Sequence, residues 1–447
     1  MTKLNRVREG SRPLLTCLTL LAALTAAMSA QARVAPAFAN VDGGTSTWTE
    51  QKVVSDDGAA SDNFGYAVTI SGTTAVVGAS NAGVDGDARG LAYVYTLVDG
   101  TWTLQQEIGA DDGAALDGFG FSVSLSGDTL VVGAPYVSIG DNGGEGAAYV
   151  FTRTGDTWTQ VQKLEPDDGT SNFNFGWSVA LSGSTALISS PVAPVGDNIL
   201  QGKAYVFTDD GGSWSQAQTL VADDGSEGST FGESVAIDGT TAVIGASGTN
   251  GYFGAAYVFD GSGGTWTQTG ELVPDDGMAT EFFGLSVAVS GSTALVGAYY
   301  QNVPPHNHQG SAYVFTDDGG TWTQHQKLTA SDGAAGDRFG LSVALDGSTA
   351  LVGAYLAKIG DNTTQGAAYV FSASDDGTWT ESDKLFASDG ASGDEFGNAV
   401  ALSGDVALVA AFDASPNGEI NQGAAYFYTR AADDAIFVDG FDGPDGP

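Results

Sequence analysis

The chain has one cysteine, three histidines, three methionines and 15 basic side chains among 447 residues. A single cysteine excludes a disulfide scaffold and a thiolate metal site. Among His306, His308 and His325, the His306-x-His308 pair could bind Zn²⁺ or Cu²⁺, but two ligands are too few and a solvated loop is the reading adopted. Proline is limited to 12 residues, and the 65 glycines follow no three-residue period, so the chain is not collagen-like. Against 15 basic groups stand 54 acids, for a net charge of −39. Such a surface repels phosphate backbones and anionic headgroups, which excludes nucleic acid and peripheral membrane as partners. No sustained 3.6-residue apolar period occurs beyond residue 27, so no substantial helix is expected. The hydrophobic fraction of 42% is nevertheless enough to build a core.

The first segment has the order of a secretory signal. Lys3, Arg6, Arg8 and Arg12 precede an apolar run from Leu14 to Ala27, followed by the small-x-small site Ala30-Gln31-Ala32. A helix that short, at ~1.5 Å per residue, cannot cross a ~30 Å hydrocarbon core. Residues 1–32 are therefore expected to be a cleaved signal peptide, with Ala37-Phe38-Ala39 as a second site. A linker over 33–47 follows. The only cysteine, Cys17, leaves with the signal, and the mature net charge becomes −42. The expected location is secreted: extracellular, cell-surface or periplasmic, with no membrane insertion after cleavage.

Three markers then recur in one phase. Phe-Gly occurs at Phe64, Phe119, Phe175, Phe231, Phe283, Phe339 and Phe396. Tryptophan keeps step at Trp48, Trp102, Trp158, Trp214, Trp266, Trp322 and Trp379. A small-Ala-Tyr run occurs at Tyr93, Tyr149, Tyr205, Tyr257, Tyr313, Tyr369 and Tyr426. Each unit reads as four short strands. In the sixth they are 339–345, 350–355, 367–371 and 379–385, with a tight turn at Asp346-Gly347. Four strands in some fifty residues, repeated, predict an all-β, seven-bladed β-propeller of four-stranded antiparallel blades over residues 48–429. The pattern opens on a fourth-type strand and closes on a third-type strand. The segment from Trp48 should therefore pair beside Ala424–Tyr428 and close the ring. An acidic, Gly/Pro-rich tail covers 430–447. Its apolar Ile436–Phe441 segment reads either as a sorting or docking signal or as a disordered end.

The second unit carries Phe119-Gly120 and, downstream, Gly133-Ala134-Pro135. Other units keep it in part, as Gly78-Ala79-Ser80, Gly245-Ala246-Ser247, Gly297-Ala298-Tyr299 and Gly353-Ala354-Tyr355. Ser189-Ser190-Pro191 and Ala410-Ala411-Phe412 depart furthest. In these residues the chain resembles bacterial secreted FG-GAP repeat proteins, relatives of the integrin α-subunit headpiece. The resemblance implies a seven-bladed propeller used for adhesion or recognition. It also implies a calcium loop in the first hairpin of a blade. Here that hairpin is as short as Ser126-Gly127-Asp128-Thr129, too short to wrap a cation with 6–8 oxygen ligands, so that site is not carried over.

The tight turns fall at one end of the blades. The variable second-to-third loops and the crossovers fall at the other, which is the expected binding face. Acids recur in the crossovers at Asp57 and Asp62, Asp112 and Asp117, Asp332 and Asp337, and Asp389 and Asp394. One reading is a ring of weak Ca²⁺ sites. The reading adopted is turn capping, because Phe173 and Ser229 replace the second acid in two units. No cofactor is required. Unit-specific residues Trp177, Tyr252, Phe253, Tyr299, Tyr300 and His306 are candidates for ligand contact; ordinary packing at blade edges is the competing reading. No Ser/His/Asp arrangement and no phosphate loop recurs. The expected function is a non-catalytic binding or adhesion module, acting as a monomer on a protein or glycan. The alternatives are a polysaccharide hydrolase or lyase using two carboxylates, and a purely structural surface protein.

Overall fold

The computed structural model describes residues 37–38, 48–84, 87–278 and 280–431. The expected signal peptide, most of the linker and the tail from residue 432 lie outside the described residues. Among the described residues no helix is long and apolar enough to cross a membrane.

Alternation of buried and exposed side chains yields seven four-stranded antiparallel sheets. Blades I to VI span residues 64–108, 122–164, 179–220, 234–272, 287–328 and 339–385. Blade VII combines 400–430 with the strand Trp48–Val53. Blades I to VI run in chain order, as in blade II: Ser122–Ser126, Thr129–Ala134, Ala147–Thr154 and Thr157–Leu164. Second and third strands are buried on both faces, as in Val131, Val132, Tyr149 and Val150. Fourth strands alternate, because their outer face meets water. First strands line a central channel of about 300 Å³.

Ring closure follows the expected pairing. Trp48 lies opposite Arg430 and Val53 opposite Ala425. Two residues of the expected linker, Ala37 and Phe38, add a short strand outside Trp48–Val53. Buried Glu50 accepts hydrogen bonds from Ser388 Oγ (2.7 Å) and Tyr428 Oη (3.0 Å), locking the closing strand.

Adjacent blades meet backbone to backbone. In blade II, Gly146 has φ +88°, and a Cβ there would overlap the Phe175 carbonyl of blade III. A Cβ on Gly133 would overlap the Gly176 carbonyl, and one on Gly176 the Ala147 carbonyl. Only glycine permits that approach at that φ. The Phe175 N–H donates to the Glu145 carbonyl across the seam (2.9 Å). One difference from expectation is that Phe-Gly opens the first strand only in blades I and VI, and in the other five the strand starts later; Phe64, Phe175, Phe283, Phe339 and Phe396 each bridge to the previous blade.

The outer seam uses glutamine. The Gln106 amide donates to the Trp158 carbonyl (2.9 Å), and its carbonyl oxygen accepts from the Trp158 N–H (2.8 Å). The same two-way bond joins Gln51 to Trp102, Gln162 to Trp214, Gln218 to Trp266 and Gln326 to Trp379. Five repeat tryptophans are buried, including Trp158 and Trp102, the latter stacked on Phe427 at 4.3 Å. Trp266 and Trp322 are half-buried. Trp322 faces Gly270, which holds the place of the clamping glutamine, and the Trp266 ring lies over Gly261.

Gly146→Ala is expected to destabilise the ring by at least about 2 kcal/mol, through overlap and strain together. Gly143→Ala, where a Cβ meets nothing within 4 Å, should be near neutral. Thermal melts of the two variants make the comparison. Trp158→Ala should cost about 3–5 kcal/mol in urea unfolding; a midpoint equal to wild type would remove the wedge role of this side chain.

Candidate functional site

The crossover acids are engaged by the fold. Asp332 accepts from Tyr369 Oη (2.8 Å) and pairs with Lys384 (2.6 Å). Asp276 is held likewise by Tyr313 and Lys327, Asp389 by Tyr426 and Lys52, and Asp168 by Tyr205 and Lys203. Asp112 pairs with Lys163, and Asp57 accepts from Ser55 Oγ. Burial alone would lift the Asp332 carboxyl. The Lys384 and Tyr369 contacts outweigh it and hold the group below its ordinary value. The second acids Asp62, Asp117, Asp337 and Asp394 each accept a backbone N–H three residues earlier, at 2.7–2.8 Å. That is the geometry of a capped turn. Among the described residues no three His, Cys, Asp or Glu side chains converge on one point.

The histidines are apart. His325 lies on the fourth strand of blade V and bonds the Gly377 carbonyl (2.9 Å). His308 packs on Tyr300 at 4.1 Å, while half-buried His306 shares its loop. Tyr252, Tyr299 and Tyr300 gather around Phe282, with ring centroids 5.2–5.7 Å away. Phe253 is half-buried and lies against Gly277 instead.

Two repeat positions meet at the loop-face mouth of the channel. The residue after Phe-Gly is Tyr66, Phe121, Trp177, Glu233, Leu285, Leu341 and Asn398 in blades I to VII. The residue after the Gly-Ala position is Ser80, Pro135, Pro191, Ser247, Tyr299, Tyr355 and Phe412. Blades I to III supply an aromatic from the first position and blades V to VII from the second. Four of these aromatics form a continuous partial collar. Phe412 meets Tyr66 at 6.1 Å, Tyr66 meets Phe121 at 4.8 Å, and Phe121 meets Trp177 at 4.8 Å. These four rings are half-buried. Outside them, Tyr66, Phe121, Tyr136 and the exposed Leu116 border a cavity of about 750 Å³ between blades I and II.

Glu233 accepts hydrogen bonds from Ser247 and Thr230, and burial lifts its carboxyl. Glu395 is lifted to about 7, first by burial and then by the charge of Asp413. Sequence reasoning singled out Trp177, Tyr299 and Tyr300 but missed Tyr66, Phe121, Tyr355 and Phe412. The signal lay in comparing two separate repeat positions that become neighbours only in the fold.

The FG-GAP repeat matches the chain at residues 48–95, 102–151, 158–207, 214–259, 266–315, 322–371 and 379–428. Comparison with curated proteins finds no match. A chain from a solved structure titled "Crystal Structure of Mitotic Checkpoint Complex" superposes with a TM-score of 0.52 at 12% identity, over 95% of this chain and 100% of that one. At that identity the likeness is one of fold.

Glu395 yields a pH prediction. A carboxyl that holds its proton more tightly folded than unfolded makes stability fall as pH rises from its ordinary value, 4.5, to about 7. Glu395→Gln should flatten the melting temperature across that window and melt above wild type at about pH 8. Parallel curves would remove the shift.

Proposed function

The chain belongs to the FG-GAP repeat family, and from that premise we propose that it is a secreted, non-catalytic binding module whose contact surface is the loop face. The observation that carries this is the aromatic collar. Phe412, Tyr66, Phe121 and Trp177 form a run of half-buried rings, the last three at the position where blades IV to VI place Glu233, Leu285 and Leu341 after Phe-Gly. The propeller does not need aromatics there, since other blades fold without them. Rigid rings on a rigid frame bury much area at small entropic cost, which suits a protein hot spot or a sugar face. The opposite end offers only tight turns.

A polysaccharide hydrolase or lyase has one observation in its favour: Glu395, lifted to about 7, departs from the residues preceding Phe-Gly in every other unit. Polysaccharide turnover abolished by Glu395→Gln would replace the binding reading.

The test presents the mature chain to arrays of glycans and extracellular proteins. Saturable binding is expected to at least one class. A Phe121→Ala/Trp177→Ala variant should lose it by at least about tenfold, whereas Asp156→Ala in a tight turn should not. Binding indifferent to the collar variant, or no saturable binding at all, would end this reading.

A further inference from the structure

The described residues include ten lysines and arginines. Eight pair with a carboxylate: Lys52, Arg89, Arg153, Lys163, Lys203, Lys327, Lys384 and Arg430. In a chain of net charge −39 this is the expected outcome. The two that do not, Arg338 and Lys358, both lie on the loop face of blade VI. Their segments are tied together, because the Leu356 N–H donates to the Asp337 carbonyl (3.3 Å).

Arg338 is unusual in two further ways, its φ of +64° being shared by every unit at this position, from Thr230 at +54° to Gly118 at +73°. Its guanidinium carbon lies 3.7 Å from the Tyr300 ring centroid and 5.8 Å from that of Tyr299, which fixes the plane of the fork. Its Nη1 is enclosed and has no hydrogen-bond acceptor. A stacked guanidinium with no carboxylate partner among the described residues is matched by a planar oxyanion taking two parallel hydrogen bonds from its other nitrogens.

We propose that Arg338, supported by Lys358, is the carboxylate-binding element of a subsite for a uronate-bearing glycan. The inference rests on the loop-face reading and gives its ligand a chemical class. Tyr252, 52% exposed on the same loop face, supplies a surface for a sugar ring. The chain's own acidity repels a dense polyanion. It tolerates isolated carboxylates separated by neutral sugars, because repulsion from distant acids is screened beyond ~8 Å at physiological ionic strength.

Hyaluronan hexasaccharide, which alternates uronate and neutral sugar, is the probe. Calorimetry of the mature chain is run at ~0.15 M salt. Saturable binding is expected, and the carboxyl-reduced hexasaccharide should bind at least about tenfold more weakly. Arg338→Asn should lose at least about tenfold in affinity while keeping the wild-type melting temperature, since asparagine is the residue of two other blades. Lys358→Ala should lose severalfold. Equal binding of the reduced sugar, full binding by Arg338→Asn, absence of binding, or tighter binding of hexaglutamate would each overturn the proposal. Capture of another ligand that depends on Trp177 but not on Arg338 would overturn it and leave the loop-face reading standing.

Discussion

Everything in this propeller depends on how closely two blades can approach at their backbones. Gly133, Gly146 and Gly176 meet across one seam with no room for a Cβ on any of them. The approach lets the Phe175 N–H reach the carbonyl of the preceding blade and sets the aromatic ring of each Phe-Gly over the next tyrosine, as Phe175 over Tyr205 at 5.4 Å. Core packing then follows from blade spacing. Ser189 and Ala410, where the second-strand glycine is missing, show the tolerance of the seam. Their Cβ atoms stand against Gly232 and Gly65.

Most of this architecture was legible because the markers it needs are rare and repeat in phase. Phe-Gly, the tryptophans and the tyrosine runs located every blade, and the mismatched ends located the closing seam between Trp48 and Arg430. The glutamine clamps were not legible. Gln106 and Gln162 sit on fourth strands that read as solvated, and their partners lie 52 residues away. Acid roles were hidden for the same reason. The lysine that neutralises Asp332 is 52 residues downstream, so the crossover looks like a bare anionic loop when read alone.

The candidate site was half legible. Trp177, Tyr299 and Tyr300 stand out as departures from the repeat, but each departure read singly looks like drift. The collar arises because two positions alternate in duty. One blade uses the residue after Phe-Gly and another the residue after Gly-Ala. Tyr66 and Phe412 belong to opposite ends of the chain and still touch at 6.1 Å. Curvature of the ring, which no local pattern encodes, makes them neighbours.

Closure by Trp48–Val53 also dictates an order of events. Glu50 and Tyr428, which hydrogen-bond in the last blade, are 378 residues apart. The strand made first waits for the one made last, so its edge stays open while six other blades assemble. Contacts of such separation slow folding and leave a sticky edge exposed in the meantime. The charges Glu50 and Lys52 on that waiting strand discourage pairing with a neighbouring copy. Both find partners only at home: Lys52 pairs with Asp389, and Glu50 accepts hydrogen bonds from the hydroxyls of Ser388 and Tyr428. The latch thus carries its own protection against being closed by the wrong molecule.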